Sequence, residues 1–159
     1  MNTFEQLLGR QIQRILRLDT TGNISPLSVP LAIYLMLDEN SGLLVGFGFH
    51  NETITLDYMT LEEVQNEYGT EFGETHLNEV ESSNRLRRFA GQALKSIKVG
   101  KFTEDKLVGE NFVVTEGQYA VVVIQTITEK LTIYSTKDGG QVIFDDDEIP
   151  VKQQNWTLQ

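Results

Sequence analysis

"NRLRRFAGQALKSI", residues 84–97, lies in mid-chain yet reads as the opening of a domain, and its counterpart is "NTFEQLLGRQIQRI", residues 2–15. Aligned at an offset of 82, Asn2 meets Asn84, Phe4 meets Leu86, Leu7 meets Phe89 and Leu8 meets Ala90. Gly9 then meets Gly91, Ile12 meets Leu94 and Ile15 meets Ile97. Further on the offset grows to 88, as six extra residues in the second copy's first loop would make it. From there "AIYLML" (32–37) overlays "AVVVIQ" (120–125), "LLV" (43–45) overlays "LTI" (131–133), and "ITLD" (54–57) overlays "VIFD" (142–145). Few positions are identical, but the agreement of pattern across a helix–Gly start and three strands argues for internal duplication.

Each copy can therefore be read once and checked twice. Residues 3–8 and 85–90 carry apolar groups at helical spacing, with Asn2 or Asn84 placed to cap the first free amides. Gly9 and Gly91 suit a left-handed C-terminal cap that stops each helix. "IKV" at 97–99 alternates and is rich in β-branched residues, as a strand should be. Three further strands follow in each copy. The turns between them are "DENSG" (38–42) and "FHNE" (49–52) in the first, "ITEK" (127–130) and "KDGG" (137–140) in the second. The glycine pair of "KDGG" supplies the positive φ of a tight hairpin. In "GFGF" (46–49) two glycines interrupt a strand, as a bulge or close packing against a ring would require.

The expected fold is α+β: two tandem related halves, each a short helix plus a four-stranded antiparallel meander, packed as one compact domain. Neither four-stranded sheet buries its apolar face alone, so the two pack as a sandwich or join as one continuous sheet. The divisions are one domain over 1–159, half one over 2–58, half two over 84–145, an acidic helical connector over 59–83 and a tail over 146–159. In the connector, Leu61, Val64 and Tyr68 recur at helical spacing. Thr60 and Glu63 form a capping box there, and Gly69 ends the helix. Beyond it an exposed loop is expected, anchored by Phe72 and Leu77. The tail opens on the acidic run "DDDE" (145–148) and carries the only tryptophan, Trp156.

Thirteen basic against 23 acidic side chains give a net charge of −10, which repels phosphate backbones and anionic lipid and so disfavours nucleic acid and membrane as partners. Between Arg17 and Arg85 there is no Lys or Arg, while acidic residues fill that stretch. The absence of cysteine removes disulfides and thiolate chemistry. "YAVVVI" (119–124) is far shorter than the ~20 residues needed to span a bilayer. The first residues lack a basic segment followed by an apolar run. A soluble, cytoplasmic protein is the expectation.

Catalytic residue types are scarce. His50 falls in a turn and His76 in the acidic connector, each reading as a surface histidine. No phosphate loop, metalloprotease helix or serine elbow is present. "DDDE" and "DENSG" offer oxygen ligands for a hard cation but lack the spacing of a built site, so neither metal nor cofactor is expected. Arg85 and Arg88 share one side of the second helix and are the candidates for gripping an anion or ligand. Pairing of "NRLRR" with the acidic connector is the simpler account of that cluster.

These features favour a non-enzymatic binding module for a basic protein. The build is that of a small acidic inhibitor or immunity-type protein, with Glu62, Glu63, Glu67, Glu71, Glu74 and Trp156 as candidate contacts. A second reading is a small-ligand protein or enzyme with a pocket between the halves, lined by Arg88, Tyr34, His50 and Tyr134. A third is a homo-oligomer, such as a homodimer that pairs strand edges or buries Trp156.

Overall fold

The computed structural model describes residues 3–20, 32–47, 54–68, 75–81, 84–102, 118–119, 121–136, 139–144 and 156–158. A 3₁₀ turn, Thr3–Leu7, leads into strands β1 (Arg14–Thr20), β2 (Ala32–Met36), β3 (Ser41–Phe47) and β4 (Ile54–Thr60). Helix α1 (Leu61–Tyr68) and strand β5 (Thr75–Glu79) follow. A second 3₁₀ turn, Arg85–Phe89, opens the remainder: β6 (Leu94–Phe102), β7 (Gln118–Tyr119), β8 (Val121–Thr126), β9 (Lys130–Thr136), β10 (Gly139–Phe144) and β11 (Trp156–Leu158).

Every pairing is antiparallel, and the strands form two sheets, ordered β5-β1-β2-β3-β4-β7 and β10-β9-β8-β6-β11. One apolar cluster draws on both: Ile15, Ile33, Leu43 and Leu56 from the first sheet meet Ile97, Val122, Ile124 and Ile133 from the second. The alternatives of sandwich and continuous sheet are thereby decided in favour of two sheets sharing a core. Strand alternation produces this directly, since residues two apart point to the same face. Along β1 and β2, Ile15, Ile33 and Leu35 face the other sheet, while Leu16, Leu18, Ala32, Tyr34 and Met36 form a second cluster on the far side.

The expected helices at 3–8 and 85–90 are 3₁₀ turns. Their bonds run from residue i+3 to i, as in Leu8 N–H to Glu5 O (3.2 Å) and Ala90 N–H to Arg87 O (3.1 Å). A segment this short between its cap and its glycine cannot offset the cost of nucleating an α-helix, and the tighter turn serves instead. Asn84 caps the second turn, its Oδ1 accepting from Leu86 N–H at 3.0 Å. Gly9 and Gly91 stop the two turns at φ of 88° and 86°, a region that side chains with a Cβ avoid.

Directly after these glycines the two segments meet. Gly9 N–H donates to Leu94 O (2.8 Å) and Gly91 N–H to Ile12 O (2.7 Å). Leu94 N–H donates to Arg10 O (2.9 Å) and Ile12 N–H to Gln92 O (2.8 Å). Each bond maps onto its companion when 82 is added to or taken from both residue numbers. Gln11 and Ala93, themselves related by that offset, form the bridge at the centre. At the β2–β3 turn, Asp38 N–H donates to Ser41 O (3.3 Å), and at the β8–β9 turn Thr126 N–H donates to Glu129 O (2.8 Å). In both turns a side-chain oxygen of the first residue accepts the backbone N–H three places on. Ser41 donates to Asp38 Oδ1 at 2.8 Å and Glu129 to Thr126 Oγ1 at 3.0 Å.

Three strands stand beyond the eight expected. The end of the connector is β5, an edge strand that sets Leu77 opposite Leu18 on β1, where an exposed loop was expected; Phe72 lies outside the described residues. The tail contains β11, which sets Trp156 opposite Phe102 on β6. In each sheet the meander thus gains a strand on its first edge, because an unpaired row of backbone groups on β1 or β6 is satisfied by the returning chain. The stretch just before β8 crosses to the other sheet, where β7 pairs with β4. Gly46 keeps register with Ala32 and Thr55, so no bulge occurs there; the irregularity falls instead in β6 between Leu94 and Ser96. The turn at 49–52, residues 137–138 and the run at 145–148 lie outside the described residues, while Gly139 and Gly140, expected in the turn, open β10 opposite Thr136 and Ser135.

Gly42, opposite Met36, has no room for a side chain: an added Cβ would run into the backbone carbonyl of Leu35. Gly42→Ala is therefore expected to lower stability by about 1–3 kcal/mol, the usual cost of overpacking, read as a fall in the urea midpoint at unchanged slope.

Candidate functional site: an acidic helix over the first sheet

Helix α1 begins where Thr60 and Glu63 cap one another, Glu63 N–H donating to Thr60 Oγ1 at 3.1 Å and Thr60 N–H to Glu63 Oε2 at 3.3 Å. Its first N–H is anchored on the β2–β3 turn, Leu61 N–H donating to Asn40 O at 2.7 Å. Glu62 and Glu63 in the first turn complement the positive end of the helix. Val64 is buried, with Leu61 packed beside it, against Leu16, Leu18, Tyr34, Met36 and Leu44 of the first sheet's outer face. Glu62, Glu63 and Glu67 of the helix are exposed. Asp57, opposite Leu44 on β4, is exposed on the same face, and the crowding of the sheet raises its carboxyl above the ordinary carboxylate value.

Beneath the helix, Tyr34 is fully buried and donates its hydroxyl to Met59 O at 2.8 Å. Burial, and then the neighbouring Asp38, Tyr58 and Glu63, push its phenol up to about 12. Asp38 is spent on the β2–β3 turn. Its Oδ1 accepts from Asn40 and Ser41 N–H (2.9 and 2.8 Å), and its Oδ2 from Ser41 Oγ at 2.5 Å. The Ser41 hydroxyl, those amides and Arg10 together hold the Asp38 carboxyl below its ordinary value. Ser41 Oγ lies 2.6 Å from Tyr58 OH, which accepts from Arg10 Nη1 at 3.2 Å. "DENSG" is thus a turn whose carboxylate already has its donors. Among the described residues, no group of three His, Cys, Asp or Glu is arranged to hold a metal ion.

Arg87 of "NRLRR" donates from Nη1 to Val80 O (2.7 Å) and lies 3.8 Å from Glu79, which also pairs with Arg14 at 3.5 Å. Here "NRLRR" does pair with the acidic stretch before it. Exposed pairs of this kind contribute at most about 1 kcal/mol. Arg88 is exposed and Arg85 half-buried on the second 3₁₀ turn. Arg17 and Asp19 form a buried pair at 2.7 Å, on the side of β1 that also carries Ile15.

Of the candidate contacts, Glu62, Glu63 and Glu67 share one short helix, Glu71 and Glu74 lie outside the described residues, and Trp156 sits in β11 of the second sheet. Tyr34 and Tyr134, proposed to line one pocket, stand in separate clusters on different sheets, and His50 lies outside the described residues. His76 faces Asp19 in the β1–β5 register. The Arg10–Tyr58–Ser41–Asp38 chain of bonds went unread in the sequence, because Arg10 and Tyr58 are far apart along the chain; only the Asp–Ser spacing of the turn hinted at it. No helix among the described residues is long and apolar enough to cross a membrane. No known protein family matches the chain, and no curated protein or solved structure is significantly similar to it.

Because the folded state holds the Tyr34 proton more tightly than the unfolded chain, its contribution to stability is complete below pH 10 and is lost as pH rises from 10 to about 12. Relative to Tyr34→Phe, the native protein should lose stability in that window at up to about 1.4 kcal/mol per pH unit. Urea midpoints of both proteins from pH 9 to 11.5 test this, and parallel curves would refute it.

Proposed function

We propose that the chain is a non-enzymatic binding module that holds a basic protein partner against the acidic face of α1, as a small acidic inhibitor or immunity-type protein would. The observation that carries this reading is the exposure of Glu62, Glu63 and Glu67 on a helix whose other side is fixed in an apolar cluster, with Asp57 exposed on the strand opposite Leu44 of that cluster. Carboxylates mounted on a packed element attract a basic surface at long range and lose little freedom on contact. The exposed lysines 95, 98 and 130 belong to the second sheet, while Arg10 and Arg14 on the first-sheet side are engaged with Tyr58 and Glu79, which supports directing a basic partner to the first sheet. The separation of Tyr34 from Tyr134 speaks for this reading over a shared pocket.

The test is retention of partners from a lysate of the source cells on immobilised protein. A basic protein should be held at low salt and released between roughly 50 and 200 mM, where the screening length becomes comparable to the contact range. Glu62→Gln with Glu67→Gln should weaken retention roughly tenfold, two exposed charge contacts at about 0.7 kcal/mol each, without changing the circular dichroism spectrum. Equal retention by the double variant would sink the reading.

We also infer that residues 2–58 and 84–145 are two copies of one unit. The bonds paired at the offset of 82, the matching φ of Gly9 and Gly91, and the alike turns at 38–41 and 126–129 support it. So does the fifth strand that each sheet receives on the corresponding edge. Gly9→Ala and Gly91→Ala meet no atom and pay only for the left-handed backbone, so each should cost about 1–2 kcal/mol, and the two costs should agree. Markedly unequal costs in denaturant titrations would count against equivalent halves.

A further inference from the structure

We propose that the junction between the halves is a self-complementary surface that fits a second copy of this chain. Two chains exchange halves across it, each junction then being built from half one of one copy and half two of the other. The proposal rests on the equivalence of the halves.

The bonds that close the junction come in reciprocal pairs. What Gly9 and Ile12 give to and take from the second half, Gly91 and Leu94 give to and take from the first. The bridge at Gln11 and Ala93 stands where a twofold axis would pass. Only the side chains near it break the pattern: Gln11 Nε2 donates to Gly91 O at 2.7 Å, while Gln92 donates from Nε2 to Arg88 O at 2.6 Å. A surface whose donors and acceptors are matched by its own repeat is isologous, and exchange of such an element between copies is a low-cost route to a dimer, since no new contact has to be invented.

The cluster behind the junction favours exchange over an open chain. Leu7, Ile12 and Ile15 of the first half pack with Leu86, Phe89, Leu94 and Ile97 of the second, and an unpartnered half would expose them. The covalent crossing is short: β5 ends at Glu79 and the second 3₁₀ turn begins at Arg85. Exchange keeps these contacts and changes only which chain supplies each half. The exchanged dimer carries α1 twice.

The chain has no cysteine, so introduced thiols report on one geometry only. The bonds flanking Gln11 and Ala93 make them a non-hydrogen-bonded antiparallel pair, whose Cα atoms stand about 4.5 Å apart, within disulfide range. The full-length Gln11→Cys/Ala93→Cys variant should close an intrachain disulfide. When full-length Gln11→Cys and Ala93→Cys are mixed, unfolded and refolded together at high concentration, an 11–93 interchain disulfide should form. It gives a species of twice the 18.0 kDa chain mass, and its share should rise with protein concentration. Closure in the double variant with no interchain bond in the mixture would overturn the exchange. So would equal bonding by either single variant alone, or failure of the double variant to close. Failure of the equivalence itself is read elsewhere, in the unequal costs of Gly9→Ala and Gly91→Ala.

Discussion

The strand crossing at Gln11 and Ala93 is the constraint on which the remaining structure hangs. Two backbone segments can exchange the bonds seen there only if both leave their 3₁₀ turns through a left-handed residue, and glycine at 9 and 91 meets that condition without strain. Once the segments are crossed, β1 and β6 depart from a common point and each templates its own sheet. The apolar sides of both sheets then face one another, and Phe89, fully buried, fills the space next to the crossing. Interiors are close-packed, so a slip of one residue in either segment would turn that row of apolar side chains toward water.

The first sheet carries a second apolar face, and this sets the place of α1. Leu16, Leu18, Ala32, Tyr34, Met36 and Leu44 need cover, and a single helical turn offering Leu61 and Val64 provides part of it. The requirement is apolar on one side only, so the other side was free to take on charge. The buried Tyr34 hydroxyl is answered by Met59 O, within the strand that leads into the helix, so helix and sheet are registered by a polar bond as well as by packing.

How much of this could be read from residues alone follows from the range over which each signal acts. The capping box at Thr60 and Glu63, the Asn84 cap, the paired glycines and the seven strands of six or more residues are set by neighbours a few positions apart, and all stand in the structure. Edge strands were missed because "THLNE" and "WTL" carry little alternation of their own and become strands only by pairing with β1 and β6. The bond chain from Arg10 to Asp38 joins three separate segments, and no local pattern announces it. The acidic residues of α1 were legible as charge, while their common mounting on a packed helix was not. That depends on which side Val64 buries.

The short strand β7 ties the order of synthesis to the order of folding. β4 would be an edge of the first sheet were it not for Gln118 and Tyr119, which belong to the other half of the chain. A nascent chain that has emerged only as far as α1 and β5 must wait for roughly forty further residues, about 2–8 s at ordinary elongation rates, before Gln118 and Tyr119 can cover Ile54 and Thr55 of that edge. During this interval β4 can recruit any extended segment that passes, so the window in which the protein is most open to mispairing is set by the ribosome as much as by its own sequence.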